Sequence, residues 1–313
     1  MKVLVTGVGG QLGHDVMNEL EKRGHEGIGS DLAEDYSGLP DGSAVTRMPY
    51  LSMDITDSTQ VEQTVSKVQP DAVIHCAAWT AVDLAEDEDK QERVAEINSK
   101  GTEHIAYACK KEDCKLLYLS TDYVFDGQGD TPWDPDCKDY APLNVYGRTK
   151  LGGELAVADQ LSKYFIVRIA WVFGVNGNNF IRTMLKIGKD HDQLTVVNDQ
   201  IGTPTYTYDL ARLLVDMIET EKYGYYHATN EGGYISWYDF AVEIFRQAAA
   251  LGYKDYDKDH LLVRPVTTEE YGISKAKRPF NSRLDRSKLE QNGFTPLPAW
   301  QDALQRYLQV VEI

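Results

Sequence analysis

Metal-binding and disulfide patterns are missing from this sequence. Its four cysteines include no C-x-x-C pair, and Cys76 lies in an apolar run, which favours buried or incidental thiols over a disulfide or a zinc site. The seven histidines are scattered singly, with no H-x-x-x-H spacing. We therefore predict no catalytic metal.

Long apolar runs and an excess of positive charge are also absent. No run of about 18 apolar residues occurs, and no apolar signal segment precedes the first predicted strand, so we expect neither secretion nor a membrane span, and a cytoplasmic location. Lys and Arg number 32 against 49 Asp and Glu, a net charge of −17. This charge repels nucleic acid and anionic membranes, so neither is expected as a partner.

Hydrophobic residues make up 42% of the 313 residues, enough to build the core of one large or two modest domains. Strand-like and helix-patterned segments alternate over the first half of the chain. The strand-like runs are residues 2–6, 72–76, 116–120 and 165–169, and the amphipathic segments between them include 57–68 and 87–111. This alternation predicts an α/β fold with a doubly wound, Rossmann-type parallel sheet covered by helices on both faces.

The regular alternation stops after Gly174. We predict a dinucleotide-binding domain over residues 1–173 and a smaller α/β substrate domain over 174–313, from which some segments return to the first domain. The later helices are predicted at 180–189, 208–219, 236–250 and 300–311, and extended segments at 224–228 and 261–264.

The first two dozen residues carry the most informative motif. An apolar run leads into glycines at positions 7, 10 and 13, and a helix-like pattern follows. In this arrangement bare backbone approaches a pyrophosphate at a helix N-terminus. A tight turn with no ligand is the alternative. An acidic residue follows at Asp31, where a carboxylate would accept hydrogen bonds from the adenosine ribose hydroxyls.

Tyr146 and Lys150 are four residues apart, so on a helix both side chains project from one face. A neighbouring ammonium favours the phenolate and would lower the tyrosine pKa, as a general acid requires. The spacing alone is weak, because Tyr107/Lys111 and Tyr271/Lys275 share it. Only Tyr146 follows a strand whose end carries hydroxyls, and ligands of open α/β sheets bind at such ends.

Short polar and small residues follow two of the predicted strands. Thr121 and Asp122 stand where a strand enters a loop, and the Thr121 hydroxyl would bond the substrate oxygen that Tyr146 protonates; ordinary turn capping is the alternative. Ala77 and Ala78 follow an earlier strand and would permit close approach of a cofactor ribose, although they are also good packing residues.

With these residues placed, the chain resembles the extended short-chain dehydrogenase/reductase family, and within it the reductases of dTDP-linked 4-keto-6-deoxyhexoses. The resemblance covers nearly the whole length. Its motifs are GQLG at 10–13, AAWTAVD at 77–83, STDYVFDG at 120–127, YGRTK at 146–150, RIAWVFG at 168–174, DQIGTPT at 199–205 and RPFNSRLD at 278–285.

The resemblance implies NADPH or NADH as cofactor and a sugar nucleotide as substrate. Tyr146, Lys150 and Thr121 would be catalytic, and Thr121, Asp122 and Trp171 would contact the sugar nucleotide. Tyr146 and Lys150 would also touch the nicotinamide ribose. The remaining cofactor contacts are expected at Gly7, Gly9, Gly10, Gln11, Leu12, Asp31, Asp54, Ile55, Ala77, Ala78 and Trp79.

Other members of the same family have different activities. Dehydratases place Asp-Glu after the threonine, where this chain has Asp122-Tyr123, and epimerases hold their cofactor tightly. One related branch regulates methionine adenosyltransferase without catalysis. An NAD(P)H-dependent reductase is the leading hypothesis; an epimerase, a dehydratase and a regulatory subunit are the alternatives. A homodimer is a further expectation.

Three features of the sequence leave alternatives open. Residues 34–50 form a longer loop than expected in this family, beside the adenosine site, while Asp31 with no adjacent arginine favours NADH over NADPH. Arg278 and Arg283 are candidates for pyrophosphate contacts or for surface ion pairs. The acidic cluster 86–89 is interpreted as the complement of a helix dipole rather than as a cation site.

Overall fold

A seven-stranded parallel sheet forms the centre of the computed structural model, which describes residues 1–257 and 261–311. The strands are β1 (Lys2–Thr6), β2 (Glu26–Asp31), β3 (Tyr50–Ser52), β4 (Ala72–His75), β5 (Lys115–Thr121), β6 (Tyr164–Ile169), β7 (Val172–Phe173), β8 (Gln193–Val197), β9 (Ile201–Gly202), β10 (Thr205–Tyr206), β11 (Gly224–His227), β12 (Asn230–Glu231), β13 (Ile235–Ser236), β14 (Leu262–Val266) and β15 (Leu297–Ala299). The order in the central sheet is β11-β6-β5-β4-β1-β2-β3. The predicted doubly wound fold is confirmed, and the strand order reverses between β1 and β4.

Helices cover both faces of this sheet. They are α1 (Gln11–Lys22), α2 (Ser58–Val68), α3 (Gln91–Ala95), α4 (Thr102–Glu112), α5 (Val145–Gln160), α6 (Phe180–Asp190), α7 (Thr207–Ile218), α8 (Trp237–Ala250), α9 (Thr268–Tyr271), α10 (Ser287–Gln291) and α11 (Trp300–Val310). A π-helical segment, Glu96–Gly101, joins α3 to α4. The short 3-10 turns are Ala44–Thr46, Leu84–Glu86, Asp122–Val124 and Lys254–Tyr256.

Alternate residues of β1 show how the sheet is buried on both faces. Val3 and Val5 pack in the core beneath α1 and α7, whereas Leu4 belongs to the core on the opposite face, beneath α2 and α4. Successive side chains of a strand point to opposite faces, so a continuous apolar run is the pattern of a strand covered by helices twice.

Two later elements extend the central sheet. Helix α7 packs on α1, and β11 pairs with β6 at the sheet edge. A further helix–strand unit thus follows Gly174, contrary to the expectation that regular alternation stops there. A second core is built mainly from α6, α8 and α11, around side chains such as Phe173 and Phe240.

The acidic cluster 86–89 stabilises a different helix from the one expected. The helical segment predicted from residue 87 begins only at Gln91. The Glu86 carboxylate instead accepts a hydrogen bond of 2.7 Å from the Val145 backbone N–H, at the start of α5, and Asp87 pairs with Lys275 at 2.8 Å. An anion is favourable at this position because the N-terminus of a helix carries partial positive charge. The contact joins two segments 59 residues apart.

The other helices and strands that were predicted after Gly174 lie within two residues of their expected bounds. Several elements there were not predicted: the short helices α9 and α10, the five-residue strand β8, and the short strands β9, β10, β12, β13 and β15. All four cysteines are free thiols, and Cys109 and Cys114 are buried. Among the described residues, no helix combines the length and apolarity needed to cross a membrane.

Candidate active site

A cleft of about 840 Å³ runs along the carboxyl edge of the central sheet and is closed on one side by the aromatic residues that lead into the second core. The ends of β1, β2, β5 and β6 contribute lining residues, as does the segment that follows β4. Ligands of open parallel sheets bind at this edge, near the reversal of strand order.

The glycine turn forms the floor of the cleft where β1 meets α1. Gly7 has φ +71°, and a Cβ there would lie 2.6 Å from the Ala77 nitrogen, so only glycine fits. Helix α1 begins at Gln11, and Gly10 precedes it with no side-chain cap. The first backbone N–H groups of the helix are therefore free for an anion such as a diphosphate.

We expect Gly7→Ala to weaken cofactor binding, and Gly24→Ala to be its matched control. Both glycines have φ +71°, so both alanines incur about 1–2 kcal/mol of left-handed strain. A Cβ at Gly24 meets nothing within 4 Å, whereas one at Gly7 collides with backbone. We expect Gly7→Ala to cost about 1–3 kcal/mol more in the free energy of unfolding. We also expect it to raise the Kd for NADH about tenfold, measured by fluorescence titration. Equal effects of the two variants would contradict this geometry.

Asp31 ends β2 and lines the cleft beside the glycine turn. Its carboxylate accepts hydrogen bonds of 2.8 Å from the N–H groups of Gly9 and Leu32. Gly9 itself is not part of the lining, so its role is to hold Asp31 rather than to face the cleft. The buried Ser30 hydroxyl beside it has no hydrogen-bond partner among the residues that the structure describes.

Most of the other expected cofactor contacts line the cleft, but one does not. Gly10, Gln11, Leu12, Asp54, Ile55, Ala77 and Ala78 line the cleft, whereas Trp79 does not. Trp79 donates from its backbone N–H to Asn98 at 2.8 Å and packs in a small cluster with Tyr146. The Gln11 side chain accepts a 2.7 Å hydrogen bond from the Gly174 N–H. This bond occupies the Gln11 amide oxygen and joins the turn to the second half of the chain.

Of the three Tyr/Lys pairs, the pair Tyr146/Lys150 lies in the cleft. Both residues are on α5, whose start is capped by the Asn144 side chain accepting from the Gly147 N–H at 2.8 Å. Tyr107 and Tyr271, which begin the other two pairs, are 46% and 38% exposed and are not among the lining residues. The position along the sheet, and not the spacing, distinguishes the three.

The electrostatics of Tyr146 differ from the expectation. Burial raises the pKa of Tyr146 above its ordinary value; the negative charges of Asp122 and Tyr123 add to this shift, and Thr121 partly opposes it by hydrogen bonding. Burial also lowers the pKa of Lys150 to about 7, which Glu154 partly opposes. The expectation of a lowered phenol pKa is therefore wrong for the protein by itself, because desolvation outweighs any effect of the ammonium. The phenol keeps its proton at neutral pH.

Thr121 and Asp122 turn from β5 into the cleft. The Thr121 hydroxyl donates to Asp122 Oδ1 at 3.0 Å and accepts from the Tyr123 N–H at 3.2 Å, so it caps the turn and lines the cleft at once. Within residues 1–257 and 261–311, the buried second oxygen of Asp122 and the Ser120 hydroxyl have no hydrogen-bond partner. Burial raises the pKa of Asp122 to about 6.

An aromatic wall faces these polar groups. Trp171 stacks on Trp237 with ring centres 3.7 Å apart, and Phe180 lies 4.6 Å from Trp237. All three line the cleft. Trp171 has φ +51°, an uncommon value for a residue with a Cβ, and such strain concentrates at functional sites. The sequence analysis missed Trp237 and Phe180, because α6 and α8 lie far along the chain and only packing brings them here.

The two candidate arginines behave differently. Arg278 lines the cleft and donates to Asp83 at 2.7 Å and to the Tyr123 hydroxyl at 3.1 Å. Arg283 is not among the lining residues and donates to the Asn281 side chain at 3.1 Å. Of the two, Arg278 is the one within reach of a ligand.

The residues of the cleft fit a nicotinamide dinucleotide. The helix start and the bare glycine backbone suit a diphosphate, and the Asp31 carboxylate suits ribose hydroxyls. The unpartnered oxygens of Ser30, Ser120 and Asp122 need hydrogen bonds that a ligand would supply.

Comparison with known proteins agrees with this geometry. A family model described as the RmlD substrate binding domain matches residues 1–313. A dTDP-4-dehydrorhamnose reductase from Aggregatibacter actinomycetemcomitans is 38% identical over 309 residues, 97% of each chain. This chain belongs to the dTDP-4-dehydrorhamnose reductase family. The resemblance seen in the sequence motifs is confirmed.

Solved structures of family members have the same fold. A dTDP-4-dehydrorhamnose reductase from Clostridium acetobutylicum superposes with a TM-score of 0.86 at 38% identity, over 99% of both chains. Another from Bacillus anthracis, solved in complex with NADP, gives a TM-score of 0.84 at 37% identity, also over 99% of both chains.

Proposed function

We propose that this chain reduces the 4-keto group of dTDP-4-dehydro-6-deoxy-L-mannose to give dTDP-L-rhamnose, with NADPH or NADH as the hydride donor. The observation that carries the proposal is the convergence of Tyr146, Lys150 and Thr121 in one cleft beside a glycine turn. The family membership supplies the substrate class. Such a product would serve the synthesis of cell-surface polysaccharide.

Tyr146 acts as the proton donor to the ketone oxygen. Its raised pKa keeps the phenol protonated until negative charge develops on that oxygen. The Thr121 hydroxyl, which lines the same cleft, hydrogen-bonds the same oxygen. A bound reduced nicotinamide supplies the hydride to the ketone carbon. Hydride and proton together convert the ketone to an alcohol.

Lys150 holds the cofactor ribose. It is 3% exposed, and its ammonium lies 4.2 Å from the centre of the Tyr118 ring, which fixes its position against β5. Asp122 and Trp171 orient the sugar, Asp122 by its free carboxylate oxygen and Trp171 by its ring. Gly7, Gly10 and the backbone of Gln11 and Leu12 hold the diphosphate, while Asp31 holds the adenosine ribose.

The decisive experiment is oxidation of NADH or NADPH that depends on dTDP-4-keto-6-deoxy-L-mannose, followed by the loss of nicotinamide absorbance. We expect turnover with product dTDP-L-rhamnose. No oxidation with any nucleotide-linked keto sugar would refute the proposal and favour a regulatory subunit. Protein purified with stoichiometric bound NAD would favour an epimerase, because a reductase exchanges its cofactor every turnover.

A dehydratase activity is disfavoured by Tyr123. Elimination of water needs an acid/base carboxylate after Asp122, and the residue there is a tyrosine whose hydroxyl accepts a hydrogen bond from Arg278.

Cytoplasmic location, a homodimer and the division into domains at residue 173 stay predictions.

Cofactor affinity should depend on pH through Lys150. Because burial lowers its pKa to about 7, the free protein loses the ammonium as pH rises above that value. A cation at this site favours the anionic cofactor, so we expect the Kd for NADH to rise with pH between about 7 and 9. Lys150→Met should bind more weakly and with no such dependence, in titrations at each pH. A flat profile in the unaltered protein would contradict this assignment.

A further inference from the structure

The loop of residues 34–50 is fastened to α1 at the adenosine end of the cleft. His14 of α1 is nearly buried, and its two ring nitrogens are both engaged by this loop. Nδ1 lies 2.6 Å from the Tyr36 hydroxyl, and Nε2 lies 3.2 Å from an Asp41 carboxylate oxygen. Further along, Ala44 donates from its backbone to Asn18 at 2.8 Å. The loop is therefore built onto the helix and does not extend freely into solvent.

The arm of this loop, residues 36–41, also contacts the glycine turn. The Leu39 N–H donates to Asn176 Oδ1 at 2.9 Å. The side-chain nitrogen of Asn176, Nδ2, donates in turn to the carbonyls of Gly9 and Gly10 at 3.0 and 3.2 Å. A Cβ at Gly9 would lie 3.1 Å from the Ser37 hydroxyl. Asn176 lines the cleft, so one side chain joins the arm, the turn and the cofactor site.

The arm and the end of β2 bring negative charge to this end of the cleft. Residues 31–46 contain no Lys or Arg but carry four carboxylates, at Asp31, Glu34, Asp35 and Asp41. Arg93, a guanidinium that also lines the cleft, is paired with Glu96 at 3.0 Å and with Asp54 at 3.7 Å. Leu32, next to Asp31, lines the cleft, is 62% exposed and provides no hydrogen-bond donor from its side chain. A second phosphate on the adenosine ribose would meet carboxylates where it needs guanidinium or ammonium groups.

We propose that the arm 36–41 and Asp31 together select the cofactor, accepting an adenosine ribose with a free 2′-hydroxyl and rejecting a 2′-phosphate, so that this chain uses NADH in preference to NADPH. This selectivity rests on the proposed function, since it presumes a nicotinamide dinucleotide in the cleft. It would set this chain apart from the Bacillus anthracis relative that was solved with NADP. The arm contributes by placing Ser37 beside Gly9 and Asp31, since a Cβ at Gly9 would lie 2.9 Å from Asp31 Oδ2 and 3.1 Å from the Ser37 hydroxyl, and by adding Asp41 to the local charge.

Binding measurements test the selectivity without relying on turnover. We expect the Kd for NADH to be at least about tenfold below that for NADPH in the unaltered protein, by fluorescence titration. Calorimetry with 5′-AMP and adenosine 2′,5′-bisphosphate isolates the 2′-phosphate and should show the same order. The double variant Tyr36→Phe/Asp41→Asn, which removes both contacts to His14, should reduce the discrimination at least about threefold, because it strengthens NADPH binding more than NADH binding.

Asp113→Asn is the matched control, because it removes an equally negative but remote carboxylate that pairs with Lys163 on the surface. Its discrimination should equal that of the unaltered protein. Equal affinities for NADH and NADPH, with the keto sugar still reduced, would overturn the selectivity alone. Loss of NADH affinity in the double variant would make the arm a structural support and overturn its selective role. Failure to bind either dinucleotide would overturn the proposed function as well.

Discussion

Tyr146→Phe should abolish most turnover and leave cofactor binding nearly intact. The substitution removes only the hydroxyl group, and with it the proton that we propose Tyr146 donates to the substrate ketone. General acid catalysis of this kind contributes about 10²–10⁴-fold, so we expect kcat to fall by that factor. The ring of Phe keeps the edge-to-face contact with Tyr123, whose centre lies 5.6 Å away. Steady-state kinetics and NADH titration on the same preparation measure the two properties separately.

The chain provides matched controls for this experiment. Tyr107→Phe and Tyr271→Phe each remove the hydroxyl from another tyrosine that precedes a lysine by four residues, and both lie outside the cleft. Their kcat values should stay within about twofold of the unaltered protein. Normal turnover by Tyr146→Phe would eliminate the proton-donor assignment. Equal losses in all three variants would indicate damage to the fold and not to the chemistry.

Arg168→Met should destabilise the protein by about 3–5 kcal/mol. Arg168 and Glu154 are both 0% exposed, and two hydrogen bonds of 2.8 Å join the guanidinium to the carboxylate. Arg168 donates further to the Pro135 carbonyl and the Tyr140 hydroxyl, at 3.1 and 3.0 Å. Removing the cation leaves a carboxylate charged and unpaired in the core between α5 and β6. Denaturant unfolding of the two proteins measures the difference.

Two further variants serve as comparisons for Arg168→Met: one breaks an ion pair on the surface, and the other removes both charges of the buried pair. Arg246→Met breaks a surface pair with Glu243 in which the arginine is 57% exposed, and should cost less than about 1 kcal/mol. The double variant Glu154→Leu/Arg168→Met removes both charges and should be more stable than Arg168→Met alone. If Arg168→Met cost less than about 1 kcal/mol, the buried pair would not support the position of α5.

Local patterns in the sequence were enough to predict much of the fold and part of the site. The glycine turn, the strand that precedes it, and the shared face of Tyr146 and Lys150 depend on spacings of a few residues. Such spacings translate directly into backbone geometry. The confirmed family resemblance depends on the same short motifs, each contiguous in the chain.

Other site features depend on residues far apart in the chain. Trp237 reaches the cleft only because α8 packs against α6, and Asn176 links the glycine turn to the 34–50 loop. Glu86 supports the start of α5 through a contact that no local pattern marks. Sequence spacing has no information on such pairs, because two residues become neighbours only when whole elements dock.

The amino-acid sequence by itself therefore predicted the alternation of strands and helices in the first half of the chain, the glycine turn, and the helical face that Tyr146 and Lys150 share. Only the tertiary structure decided the protonation of that site. The ammonium of Lys150 stands near Tyr146 in any helix, but whether it lowers the phenol's pKa depends on how much water both groups lose. Burial at the end of β5 removes that water, and desolvation is a property of the packed molecule rather than of any short segment.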